Sequence, residues 1–346
     1  MILAKDLLFI VRATNIRNKL RTLLLTLIPA MSLQLAGIGV SNAQPASSYP
    51  DKPIRFIVPF PPGGPADIQS RIIGQKMSLR WKQPVVIDNK PGAGGSIGVE
   101  MVSRAPADGY TLLYTTSGPI SVNPSMSNSS FDSLRDLAPI SLTSTLSSVM
   151  VVNPSLNIKT VAELISYAKA NPDKLNYASS GNGSTSHLAM EQFNRMAGVK
   201  ITRIPYKGAA PAINDLLGGN VQVMLMGITG VLPFMNSGKL TPLGVSSLKP
   251  SPQAPSVPTI ASYGLAGFEA NNWLGVFAPP NTPESIIKKI NLEIYAIMQL
   301  PDVKEKFFKE GFESLPNKNP AQLKDFLQND IAKWSAIVKE SNITAE

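Results

Sequence analysis

The sequence predicts an α/β protein of two domains behind an N-terminal export segment. Three observations carry this. β-branched runs alternate with stretches of helical spacing along most of the chain, the βαβ rhythm of a mostly parallel sheet covered by helices. The 346 residues are 43% hydrophobic and 16% charged, a composition that buries a core. At about 150 residues per domain, that length suggests two of them.

Taken in order, residues 1–43 read as a secretory signal peptide. Lys5, Arg12, Arg17, Lys19 and Arg21 stand against one acid, Asp6, and an apolar run fills 22–40. Ser41-Asn42-Ala43 then sets small residues before a cut after Ala43. The run is long enough to serve instead as a membrane anchor, although Pro29 and its Ser, Thr and Gly residues weaken that reading. Cleavage would change the formal charge from +9 to +5, with 27 basic and 22 acidic residues spread thinly over the remainder. That is a mildly basic surface and not a nucleic-acid stripe. There is no cysteine and one histidine, His187. Disulfides, thiol nucleophiles, lipoprotein anchors and Cys- or His-rich metal sites are therefore excluded.

After a polar tether, 44–51, the expected elements begin with a strand at 54–58 (IRFIV). A helix at 66–79 places Ile68, Ile72, Ile73 and Met77 at apolar positions. A strand at 84–87, a helix at 97–104 and a strand at 111–115 follow. An extended segment at 150–152 precedes Thr160-Val161-Ala162-Glu163, a capping box that opens a helix ending at Asn171-Pro172. Strands at 175–178, 201–204, 221–226 and 243–246 then alternate with helices at 186–196, 209–217 and 229–237. A proline-rich loop, 249–258, leads to a strand at 273–278. Thr282-Pro283 and Asn319-Pro320 each set an N-cap with proline at the first helical position. The final helix carries Leu323, Phe326, Leu327, Ile331 and Trp334 on one face.

Two glycine-rich loops join a strand to a helix: PFPPGGPAD at 59–67 and ASSGNGSTSH at 178–187. In open α/β sheets ligands bind at the carboxyl ends of strands. The first turn of a helix has unpaired N–H groups and partial positive charge, and glycine lets an anion approach the backbone. Two such loops facing each other would grip a carboxylate without arginine; the other reading is a pair of ordinary tight turns. His187, just inside the second helix, is either a donor to a ligand or a cap on nearby backbone. Trp273 either walls a cleft or packs in the core. Gly94-Gly95-Ser96-Ile97-Gly98 fits the hydrolase pattern G-x-S-x-G, with His187 as its one possible base. No strand directly precedes Ser96, so this reads as a glycine-rich loop opening a helix. There is no Walker A sequence and no complete G-x-G-x-x-G, so nucleotide binding has no support.

Several stretches together resemble the extracytoplasmic solute receptors of tripartite tricarboxylate transporters, the Bug-type receptors. They are YPDKPIRFIVPFPPGGPAD, PVVIDNKPGAGGSIG, PADGYTLL, YASSGNGSTSHLA, PYKGAAPAINDLLGGNV, VPTIASYGLAGFEA and NWLGVFAPPNTP, in order from about Tyr49 to about Ile343. The resemblance implies a type II periplasmic binding protein fold, two α/β domains joined by a hinge with a ligand cleft between them. The first domain would comprise 44–148 and the return segment 273–346, and the second 149–272. Phe60, Gly63, Gly64 and Asp67 would hold one carboxylate of the ligand from the first domain. Ser180, Gly181, Ser184 and His187 would hold it from the second, with Thr116, Ser117, Tyr206 and Met226 as further cleft residues.

The same resemblance implies a periplasmic monomer that binds a small carboxylate, delivers it to membrane subunits of the transporter, and uses no cofactor, metal or nucleic acid. A sensor serving a signalling partner, and a serine hydrolase using Ser96 and His187, are the alternatives. Ala66 stands where the family commonly has a hydroxyl residue, Gln222 and Met226 where it commonly has acids, and Pro250 where it commonly has a basic residue. The missing acid at Met226 favours an organic acid with an apolar or aromatic body over a ligand with an ammonium group. Asp67→Ala and His187→Ala are expected to weaken binding with little loss of folding.

Overall fold

The computed structural model describes residues 49–126, 130–341, 343 and 344; the signal peptide, its cut after Ala43 and most of the tether lie outside the described residues. Among the described residues no helix is long and apolar enough to cross a membrane.

Two mixed sheets organise the chain. The first has the order β11-β4-β10-β3-β1-β2. Its strands are β1 (Ile54–Val58), β2 (Val85–Asn89), β3 (Thr111–Thr116), β4 (Ala138–Leu146), β10 (Asn272–Ala278) and β11 (Glu313–Ser314). The second has the order β7-β6-β8-β5-β9. It is built from β5 (Ser148–Val152), β6 (Asn176–Ser179), β7 (Thr202–Pro205), β8 (Val223–Gly227) and β9 (Thr241–Val245). β1 is parallel to both its neighbours and β6 to both of its own. The expectation of mostly parallel sheets is corrected at the crossings. β5, which enters the second sheet, and β10, which returns to the first, run antiparallel to their partners.

Helices cover both faces of each sheet. In order they are α1 (Pro65–Trp81), α2 (Ser96–Ser103), α3 (Val161–Ala170), α4 (Thr185–Ala197), α5 (Ala209–Gly218), α6 (Ile228–Asn236), α7 (Glu284–Met298), α8 (Pro301–Lys309) and α9 (Pro320–Glu340). Their starts follow local chemistry. Thr160 Oγ1 accepts from the Glu163 N–H, but the Glu163 carboxylate takes the N–H of Lys159 and not that of Thr160, so the capping box is half made. Asn319 and Gln322 complete a true box at α9. Thr282 is not an N-cap: Pro283 occupies that position, and the Thr282 hydroxyl donates to the Pro279 carbonyl.

β4 escaped the sequence reading because it is rich in hydroxyls. Thr143 and Ser144 are buried and satisfied by Gln69 of α1, which also accepts from Tyr114. A polar network that is fully paired is tolerated in a core and erases the apolar alternation that marks a strand. α9 belongs to both halves. Leu323 and Leu327 pack with Trp273 and Phe277 of the first sheet, whereas Trp334, Ile337 and Val338 join the core of the second.

The halves also meet at Gly311, beyond α8. Its φ is +80° and an added Cβ would lie 2.0 Å from Thr229 Cγ2 of α6. Gly238, at φ +68°, has open space at the same point. Gly238→Ala should cost about 1 kcal/mol of left-handed strain, and Gly311→Ala about 1–3 kcal/mol more for the overlap. Urea unfolding of the two variants checks this; equal losses would contradict the contact.

Candidate functional site

All twelve candidate residues fall at or just beyond the carboxyl ends of strands that run in parallel: β1, β3, β6, β7 and β8. The loop after β1 ends in α1, which has no side-chain cap and begins with Pro65. Inside it, Gly63 takes φ +84°, and its N–H donates to Asp67 Oδ2 at 2.9 Å. Asp67 is 3% exposed. Arg71, one turn later, donates to both carboxylate oxygens at 2.9 and 2.8 Å. Asn89, closing β2, donates to Asp67 Oδ1 and to the Phe60 carbonyl, both at 3.0 Å. Burial alone would raise the carboxyl pKa; the bonds from Arg71, Gly63 and Asn89, with the guanidinium charge, outweigh it and bring it to about 2. With four donors on two oxygens, Asp67 shapes the loop instead of offering a free acceptor.

The loop after β6 is built on the same plan. Ser184 caps α4, accepting from the His187 N–H and donating to the Gly181 carbonyl. The Ser180 N–H donates to Ser186 Oγ. His187 is 3% exposed, and its Nδ1 accepts from the Gly183 N–H at 3.2 Å. The other ring nitrogen, Nε2, stands 3.3 Å from Arg203 Nη1, so both ring nitrogens face N–H donors. Arg203 also reaches Ser179 Oγ and Asn182 Oδ1, each at 3.0 Å. Burial first, and the Arg203 charge second, push the imidazole down to about 4, so it is neutral at pH 7.

Each loop is therefore braced from its own helix by a buried side chain, with an arginine behind it. Two arginines accompany the loops: Arg71, ion-paired with Asp67, and Arg203, beside His187. Sequence reasoning missed both, together with Asn89. The Asp67–Arg71 spacing of i,i+4 was the available signal for one, and a lone cation in the four-residue strand TRIP for the other.

The remaining candidates have their own contacts. Ser117 Oγ donates to Asn272 Oδ1 at 2.8 Å, tying the end of β3 to the start of β10, and Thr116 precedes it. Tyr206 donates its hydroxyl to Asp215 at 2.7 Å. Burial and that carboxylate hold its pKa up at about 12. Met226, half-buried, lies opposite Val149 and against Gly230. Gln222 is at the other end of β8, bonded to the Asn176 N–H and the Gly219 carbonyl, so it does not bear on the cleft. Trp273 is almost fully buried, and its indole N–H donates to buried Asp330 at 2.8 Å. Ser96 follows a 3₁₀ turn, Ala93–Gly95, and no strand leads into it, so the nucleophile elbow is not formed.

The sequence profile of the tripartite tricarboxylate transporter family receptors, TctC, matches residues 69–343. Protein BugT of Bordetella pertussis (strain Tohama I) is 36% identical over 317 residues, 91% of this chain and 97% of BugT. The structure of R. palustris Rpa4515 with adipate is similar over 86% of this chain and 99% of that one, at 33% identity and a TM-score of 0.71. MatC (Rpa3494) from Rhodopseudomonas palustris with bound malate covers 84% of this chain and 100% of its own, at 29% identity and a TM-score of 0.69. The chain thus belongs to the tripartite tricarboxylate transporter family receptors, periplasmic solute-binding proteins of the type II fold that serve carboxylate transport and not catalysis.

Proposed function

We propose that this chain captures a small dicarboxylic acid between the loops 59–67 and 178–187 and presents it to the membrane subunits of its transporter. The observation that supports this most strongly is the matched construction of the two loops. Each sits at the carboxyl end of parallel strands, and each is held open by a buried side chain, Asp67 or His187. The first-turn N–H groups of α1 and α4 then face one carboxylate, with Gly63, Gly64, Gly181 and Ser184 giving close approach. Phe60, Thr116, Ser117, Ser180 and Tyr206 line the surroundings, and Met226 supplies an apolar wall for the ligand's carbon chain. Relatives solved with adipate and with malate are consistent with a two-carboxylate ligand. Binding would draw the two sheets together about their crossings, with α9 spanning both bodies.

A thermal-shift panel checks the ligand class. At about 100 times its dissociation constant, a ligand stabilises the folded state by about 2.7 kcal/mol. Aliphatic dicarboxylic acids should raise the melting temperature, and the corresponding diamides should not. Equal shifts from acid and diamide would refute the carboxylate grip.

A further inference from the structure

A cavity of about 280 Å³ lies beside the crossings between the sheets and contains no residue of either glycine-rich loop. One wall is aromatic: Trp273 of β10 and Phe326 of α9 meet edge to face, 6.0 Å apart. The polar side chains around it are unevenly matched. Asp330 is already saturated, since it accepts from the indole N–H groups of Trp273 and Trp334 at 2.8 and 3.1 Å and pairs with Lys333. Lys333 is committed as well, to Asp330, to the Glu269 carbonyl and to the face of Trp334. Among the described residues, Thr145 Oγ1 is buried there without a hydrogen-bond partner, and Glu269 is the one carboxylate of the wall without a cation. Glu269 is half-buried, and its carboxylate accepts from the Asn271 amide at 3.2 Å.

We propose that this hinge cavity is a second ligand site, selective for a small organic cation with an aromatic or branched apolar body. The ammonium would pair with Glu269, the uncompensated carboxylate, while the apolar body lies on Trp273 and Phe326. The wall carries two carboxylates, Glu269 and Asp330, against one ammonium, Lys333, and so favours a cation over a carboxylate. An anion would find the one ammonium in the wall, Lys333, already engaged. The site is independent of the cleft and stands whether or not the cleft takes a dicarboxylic acid.

The probe is 2-phenylethylammonium, with phenylacetate and 2-phenylethanol as its anionic and neutral counterparts. Tryptophan emission reports the cavity directly, because Trp273 forms its wall and Trp334 shares Asp330 with it. The purified protein should bind the ammonium probe with a Kd of about 1 mM or tighter, and phenylacetate at least about tenfold more weakly. Glu269→Gln should weaken the ammonium probe about tenfold and leave the thermal shift produced by dicarboxylic acids unchanged. Absence of a response to 2-phenylethylammonium at about 10 mM, equal binding of phenylacetate, or unaltered affinity in Glu269→Gln would each overturn the assignment.

Discussion

Replacing Asp67 by asparagine should weaken carboxylate binding by about a hundredfold and cost the folded protein about 2 kcal/mol. The buried carboxylate receives donors from Gly63, Arg71 and Asn89. Asparagine puts an amino group where one of those donors points, and a buried donor left unpaired is costly. The stability figure follows from the fall of the Asp67 pKa from 3.8 to about 2. A depressed folded-state pKa means that the contribution is complete above about pH 4 and lost as the pH falls toward 2. Urea unfolding of wild type and Asp67→Asn should therefore differ at pH 7 and converge near pH 2. Calorimetric titration reads the binding loss. Near wild-type affinity in a folded variant would show that the loop holds its shape without Asp67.

His187 should make the protein sensitive to acid in a different window. Its pKa falls from 6.5 to about 4 on folding, through burial and then the charge of Arg203. The unfolded chain then takes up the proton first. Stability is highest above about pH 6.5 and declines as the pH drops to 4, by about 3 kcal/mol from this residue. Protonation at Nδ1 would also break the bond from the Gly183 N–H, the contact that shapes the second loop. His187→Gln keeps an acceptor for that N–H and removes the titration. Its stability should be nearly flat between pH 7 and 4.5 once the carboxylates common to both proteins are subtracted. Parallel wild-type and variant curves would contradict the assignment.

Both expected outcomes differ from the sequence-based expectation that Asp67→Ala and His187→Ala leave folding largely intact. The two residues were legible as polar groups in the first turn of a helix after a glycine-rich loop. Their bracing role was not, because it needs Asn89 from β2 and Arg203 from β7, which only the folded sheet brings alongside. The strands with near-continuous apolar runs were legible for the same physical reason that they are central: β1, between two parallel neighbours, buries Ile54, Phe56, Ile57 and Val58. β4 hid behind its hydroxyls, of which Thr143 and Ser144 find partners on α1 and β3. The antiparallel runs of β5 and β10 leave no local pattern, since orientation is a property of the whole path. The double membership of α9 was hidden likewise: its apolar face reads as continuous, although its two ends serve different cores.

In the proposed mode of binding, backbone N–H groups of two braced loops hold the ligand's carboxylate. Amide-resolved nuclear magnetic resonance tests it most directly, with an aliphatic dicarboxylic acid titrated into the uniformly ¹⁵N-labelled protein. The largest shifts should fall on the N–H groups of Gly64, Gly181 and the first turns of α1 and α4, from both loops at the same ligand concentration. Saturable binding that leaves those amides unmoved and shifts others would contradict the account.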